Sequence, residues 1–371
     1  MTRWFRSVHA ALGRTATLVA FGAVVIGVIA FATGLGDDGP RTYAALIASW
    51  LFFAGLAAGA LAFRALFRLV DARWARAMTG LAGSQIGFAP VALIVVVVIA
   101  IGADFAPWRY ADAWSSWMSV AGLVIRELVL TAALFGCGYL MSKRTSGAFA
   151  VVYCIAFAIV LSMWAFDFVL GADATFESTL IGPYLFMGAF ISGTAMVTLL
   201  ALARGALDER ARRDAGALLL ALSIFWAYLF WSQYLTIWYG NIPEEVGFAL
   251  RRAEQGWGAV VLAVIGLVFA VPFVLLLHPA GRRSSRLLGT VLALQLVGFW
   301  LDCQLLIVPS LTASDAPAFA LRDVLIAIGL GGAFVVSVAP RVKAVSTPPT
   351  AHDANPGSSH VDPLPSEGKP S

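Results

Sequence analysis

Phe225–Glu245 reads FWAYLFWSQYLTIWYGNIPEE, the C-terminal part of an apolar run that begins near Gly216 and meets no charged residue before Glu244. At 1.5 Å per residue such a run crosses the ~30 Å of hydrocarbon in a bilayer. Gly240-Asn241-Ile242-Pro243 is a helix stop and turn, so the helix ends where the carboxylates begin. A lipid-facing anchor has no use for Tyr228, Ser232, Gln233 and Tyr234, because a polar group in hydrocarbon must find a partner or cost kilocalories. This segment therefore reads as a membrane-spanning helix with work to do.

Nine further stretches have the same length and hydropathy. The ten spans are expected at roughly 12–34, 43–65, 84–104, 118–142, 147–170, 179–203, 216–240, 257–278, 286–308 and 319–339. The whole chain is 60% hydrophobic and only 12% charged, far from the quarter of charged residues in soluble domains. The sequence predicts an all-α integral membrane protein with ten transmembrane helices.

The basic residues set the expected orientation. With both termini cytoplasmic, nineteen of the 25 fall in inner segments, four (Arg41, Arg109, Arg251, Arg252) in outer loops, and Arg126 and Arg322 inside spans. Losing one helix would scramble that alternation. The net charge of +4 is then a topology signal and calls for no nucleic acid. Ala30-Phe31-Ala32 resembles a signal-peptidase site, but the run from Thr15 to Gly34 exceeds a signal-peptide core, and an uncleaved first helix is expected. Residues 1–340 read as one membrane domain and 341–371, rich in Pro, Ser, Gly and Thr, as a disordered cytoplasmic tail.

His9, His278, His352 and His360 offer no pair at depth for a bis-histidine haem, and Cys137, Cys154 and Cys303 stand singly in spans. No metal site is expected. Ionisable groups inside spans gather instead at one depth. Arg126 and Glu127 lie about 13 Å from the outer start of the fourth span, and Asp302 about 10 Å from the outer end of the ninth. Asp167 sits one turn below the outer end of the fifth, and Arg322–Asp323 in the first turn of the tenth; Glu177, Glu244 and Glu245 flank this layer. Four acids (Glu127, Asp167, Asp302, Asp323) face two arginines, so two carboxyls are expected to lack a counter-cation. In low dielectric such a group takes up a proton, which suits a proton relay or a partner for a quinol hydroxyl. Pairing between helices explains any single residue equally well. Gln295 and Asp302, seven apart, share a face, and Tyr228, Ser232 and Tyr239 form a hydroxyl stripe on the seventh span. Gly55 and Gly59 form a GxxxG pair expected to pack closely.

FWAYLFWSQYLTIWYGNIPEE closely resembles the signature of the ActF subunits of bacterial alternative complex III, within the NrfD/PsrC-like family of membrane proteins. Glu177–Ala195 (ESTLIGPYLFMGAFISGTA) and Phe299–Pro309 (FWLDCQLLIVP) are similar to that family's segments opening the sixth helix and closing the ninth. The likeness runs from about the fourth span to the ninth. The family more often has Met/Phe-Gly-Val at Ile181-Gly182-Pro183 and an aromatic Leu-Tyr-Trp at Cys303-Gln304-Leu305. The resemblance implies two four-helix bundles, helices 2–5 and 6–9, flanked by helices 1 and 10, in the bacterial inner membrane. It implies an ActC-like membrane partner, periplasmic iron–sulfur and multihaem cytochrome c subunits as electron acceptors, and a bound quinone or quinol as the one cofactor.

On that footing Glu127, Asp167, Asp302, Glu244 and Glu245 are candidates for proton release or conduction, with Arg126 as charge partner. Arg322 and Asp323 are further charge partners, and Tyr228, Ser232 and Gln233 are candidates to line the path or a quinone cleft. Two other readings fit the same residues: a structural subunit that docks the rest of the complex, or a secondary transporter.

Overall fold

A computed structural model describes residues 3–102, 119–144, 146–173, 176–254, 256–312 and 316–345, with the side chains of 3–5 and of Glu244 left out. The tail from 346 onward, with Lys369, and Arg109 lie outside the described residues. The described chain is helical without strands. Ten helices are long and apolar enough to cross a membrane: α1 (Arg14–Asp37), α2 (Gly39–Leu69), α3 (Arg73–Ile101), α4 (Val120–Lys143), α5 (Ala148–Leu170), α6 (Ile181–Ala203), α7 (Glu209–Gly240), α8 (Trp257–Leu277), α9 (Ser285–Leu311) and α10 (Leu321–Ala344). Each expected span coincides with one of them. This is a multi-pass membrane protein.

Local chemistry sets the helix ends. Asp38, Ser119, Asp208 and Ser284 cap α2, α4, α7 and α9, each side chain accepting from a backbone N–H in the first turn. Asn241 closes α7 in the left-handed region at φ 46°. Pro243 then opens a short outer helix, Pro243–Ala253, that lies across the end of the bundle. Two wide π turns interrupt the spans: Ala165–Leu170 at the end of α5 and Ile265–Ala270 in the middle of α8.

Helices α2–α5 form one four-helix bundle and α6–α9 a second. Helix α2 is the axis of the molecule, packed on α5 in its own bundle, on α6 and α9 of the other, and on α10. Its apolar stretch is 94% buried, whereas that of α1 is 22% buried and packs chiefly on α10. The close packing expected at Gly55 and Gly59 is the joint between bundles. A Cβ on Gly59 would lie 1.9 Å from the Ala189 carbonyl oxygen, and one on Gly193 2.1 Å from the Ala60 nitrogen. Only glycine fits there. One end of the bundle carries Arg126, Asp167 and Asp302 and is called the acidic end below; the opposite end is rich in arginine.

Candidate functional site

The acidic end holds three separate charge clusters. In the first, Arg126 on α4 meets Asp167 in the π turn of α5 as a two-pronged pair, Nε to Oδ2 at 2.6 Å and Nη2 to Oδ1 at 2.7 Å. The widened turn places Asp167, which is fully buried, on the inside of the bundle. Glu127, the next residue on α4, is also buried beside Asp167, yet neither of its carboxyl oxygens has a hydrogen-bond partner among the described residues.

In the second cluster Asp323 pairs with Arg41 of α2, Nη2 to Oδ2 at 2.6 Å, both side chains buried. Arg322 and Asp323, both expected as charge partners, do not pair with each other. Arg322 instead donates to the Gly34 and Asp38 carbonyls and to Thr42, and reaches the exposed Asp37 at 3.4 Å. Adjacent residues on a helix point about 100° apart, so Arg322 and Asp323 serve different neighbours. Arg41, counted from sequence as a loop residue, thus enters the acid layer and takes one of its carboxylates.

The third cluster lies in the α6–α9 bundle. Asp302 on α9 accepts a 2.6 Å hydrogen bond from the Tyr184 hydroxyl of α6. Asp302 is 4% exposed and makes no ion pair among the described residues. Tyr184 packs on the Trp226 ring of α7, centroids 5.7 Å apart. Gln295, on the same face of α9 as expected, donates to Ser223 of α7 at 2.8 Å and more weakly to the Val268 carbonyl in the π turn of α8.

Asp302 and Tyr184 form the wall between two cavities. The larger, an open cleft of about 500 Å³ counting the solvent space it opens onto, is lined by Phe176, Phe230, Gln233, Tyr234, Phe248 and Arg252 among others. The smaller, about 290 Å³, lies between the bundles against Leu51, Phe52, Gly188 and Phe299. The larger one exists because α8 bends away. Its π turn and Val271–Leu277 pack on both α7 and α9, while Trp257–Val264 packs on α9 and on the outer helix and stands off α7. Helices α7 and α8 therefore splay, and the outer helix roofs the gap.

That roof is held by a set of contacts that follow from one proline. Pro309 inside α9 has no N–H and cannot bond the Leu305 carbonyl four residues earlier. Arg252 supplies the missing donor, Nε to Leu305 O at 2.8 Å, and its Nη2 also bonds Leu306 O at 2.7 Å and Ser310 Oγ at 3.0 Å. Its guanidinium also lies 3.3 Å from the Phe248 ring centroid, and Phe248 stacks on Phe176. Burial lowers the pKa of Arg252 to about 9, with the Asp173 carboxylate opposing, so it is charged at neutral pH. Arg251 pairs with Asp173 alongside.

The acids expected at one depth do not line one cleft: of the two clefts described, Asp302 lines both, and Glu127 and Asp167 neither. Helix α7 is also turned the other way. Ser223, Trp226, Phe230, Gln233 and Ile237 face the bundle, within about 80° of arc. Tyr228 is 62% and Tyr239 85% exposed, with Ser232 half-buried on the same outward side. Gln233 alone of the expected polar lining faces the cleft. Of the remaining candidates, Glu245 is half-buried and lines neither cavity, Glu177 is exposed, and the Glu244 side chain lies outside the described residues.

Sequence reasoning missed Tyr184 and Arg252. Tyr184 had been noted only as part of the segment opening the sixth span. Arg252 carried a signal in its spacing, four residues after Phe248 on a short helix and facing a proline-broken partner. The third and fourth cations, Arg41 and Arg252, change the charge balance but not its outcome: Asp167 and Asp323 are matched by arginines, and Glu127 and Asp302 are the two carboxyls left over.

These features define a ten-span, two-bundle membrane protein with a buried Asp–Tyr pair at the floor of an aromatic cleft. No protein-family model matches the sequence, and no curated protein is significantly similar to it.

Proposed function

We propose that this chain is the membrane subunit of a quinol-oxidising respiratory complex of the alternative complex III type. In this proposal it sits in the bacterial inner membrane with both termini cytoplasmic and its acidic end periplasmic. The observation that carries the reading is Asp302: buried, without a cationic partner among the described residues, bonded to Tyr184 and facing an aromatic cleft. A carboxylate in that setting can accept a proton from a ring hydroxyl, while the Tyr184 O–H holds its other lone pairs in place. Phe176, Phe230 and Tyr234 offer ring faces to a flat head group, and Gln233 a second hydrogen-bonding group. The electrons of quinol pass to the iron–sulfur and haem centres of partner subunits, and its protons leave through Asp302 to the periplasm. Glu127, beside the Arg126–Asp167 pair, is a second protonatable group in the other bundle.

Purification of the tagged chain from its native membrane tests the assignment. Haem c absorbance and an ActC-like partner are expected in the same fraction, and a chain isolated without them would refute it. The docking role has one observation in its favour, the outward aromatic side of α7 formed by Phe225, Tyr228, Trp231, Trp238 and Tyr239. For a purely docking subunit, Asp302→Asn lowers complex yield and leaves turnover per assembled complex unchanged.

A further inference from the structure

At the arginine-rich end, α7 runs about two turns past its apolar stretch, and this extension packs on the short helix Pro279–Arg283 that links α8 to α9. The joint brings Arg212, Arg282 and Arg283 together, and Arg210, Arg213 and Arg286 lie within a turn of them along the chain. Arg212 donates through Nε to the Arg283 carbonyl at 3.0 Å and through Nη1 to the Leu207 carbonyl at 2.7 Å. The Arg282 side chain lies over Gly216, one turn from Arg212, where a Cβ would come within 2.9 Å of its Cγ. Gly216 thus makes room for the aliphatic stem of a second arginine against α7, one turn from the first.

Asp208, Glu209 and Asp214 share this stretch with the arginines, yet one ion pair forms among the described residues. Arg283 has an exposed 3.3 Å pair with Glu209. Arg210, Arg213 and Arg286 make no ion pair or hydrogen bond among the described residues, and the buried Nε of Arg282 has no acceptor. Arg68 and Arg204, at other joints of this end, each donate to two carbonyls at helix ends, as Arg212 does here. Arg212 and Arg282 lie within about a turn or two of the apolar edges of α7 and α8, the depth of the lipid phosphates.

We propose that this joint is a binding site for the phosphodiester head group of an anionic phospholipid. Guanidinium groups bind phosphate oxygens in two-pronged fashion, and basic pockets between transmembrane helices suit anionic head groups. The exposed faces of α7 and α8 leading up to the joint are apolar and suit the acyl chains. The site is remote from the aromatic cleft and is independent of the quinol reading.

The test uses the full-length protein, purified in mild detergent and titrated with phosphatidylglycerol or phosphatidylcholine, with thermal unfolding and native mass spectrometry as readouts. Phosphatidylglycerol is expected to be retained and to raise the midpoint, and phosphatidylcholine to do neither. Arg213→Gln/Arg286→Gln, which removes no contact within the protein, is expected to weaken phosphatidylglycerol binding about 25-fold, some five-fold per charge. Arg14→Gln/Arg73→Gln, an equal loss of charge elsewhere on this end, is expected to leave it within two-fold. Equal weakening by both pairs, or none by either, overturns the site. Stabilisation by millimolar inorganic phosphate to the same degree would assign the arginines to a free anion and overturn the lipid assignment.

Discussion

Asp167 and Glu127 stand side by side yet live in different electrostatic surroundings. Asp167 has a two-pronged guanidinium, whereas Glu127 has no hydrogen-bond partner for either oxygen among the described residues. Breaking a buried pair strands a charge and costs about 3–5 kcal/mol, while replacing both partners with apolar residues costs far less. Arg126→Met is therefore expected to lower unfolding stability in detergent by about 3 kcal/mol. Arg126→Met/Asp167→Leu should recover most of that loss; a double variant as unstable as the sum of the singles would show that the pair is not the contact that matters. At the other cluster, Tyr184→Phe removes the hydroxyl that orients Asp302. Hydrogen bonds to a charged group are worth about 1.5–3 kcal/mol, so turnover should fall roughly 10- to 100-fold with assembly intact, measured as quinol oxidation per haem.

Among the elements, the outer helix and α9 form a coupled pair. Arg252 answers the Leu305 carbonyl that Pro309 frees and bonds the neighbouring Leu306 carbonyl as well, so part of its use depends on the proline. Arg252→Met should cost about 2–3 kcal/mol by leaving those carbonyls bare. In a Pro309→Ala background the restored N–H can bond Leu305, and the same substitution should cost about 1 kcal/mol less. Additive effects in that double-mutant cycle would contradict the coupling. The existence of each span was legible in the sequence because ~20 apolar residues have one stable use. Which way a span faces was not, since apolar side chains suit lipid and core alike. On α7 the rule that polar residues face inward picked out Tyr228 and Ser232, and the structure turns them outward. The inward face, Ser223, Trp226, Phe230, Gln233 and Ile237, follows a 3-4-3-4 spacing that was present in the sequence and could have been chosen. The π turns of α5 and α8 left no such trace, and with them went the placement of Asp167 and the splay that opens the cleft.

For the whole molecule, the two bundles meet where α2 crosses α6 at Gly59 and Gly193. Gly59→Leu would drive a side chain into the Ala189 carbonyl, so a sharp loss of folded protein is expected on size-exclusion chromatography, with Gly36→Leu, which meets open space, as the tolerated control. The acids anticipated as one layer are distributed across this joint: Glu127 belongs to the first bundle and Asp302 to the second. The layer was legible because depth follows from residue number along a helix. The partners were not, because Arg41 and Arg252 reach it from positions that sequence places in loops.

Quinol oxidation per assembled complex in Asp302→Asn tests the central claim most directly, since the amide keeps the size of the side chain and cannot take up the proton. The expected result is a fall of at least a hundredfold in turnover, with haem content and subunit composition unchanged. Wild-type turnover in that variant would contradict a proton-accepting role for Asp302 and leave the chain as a scaffold.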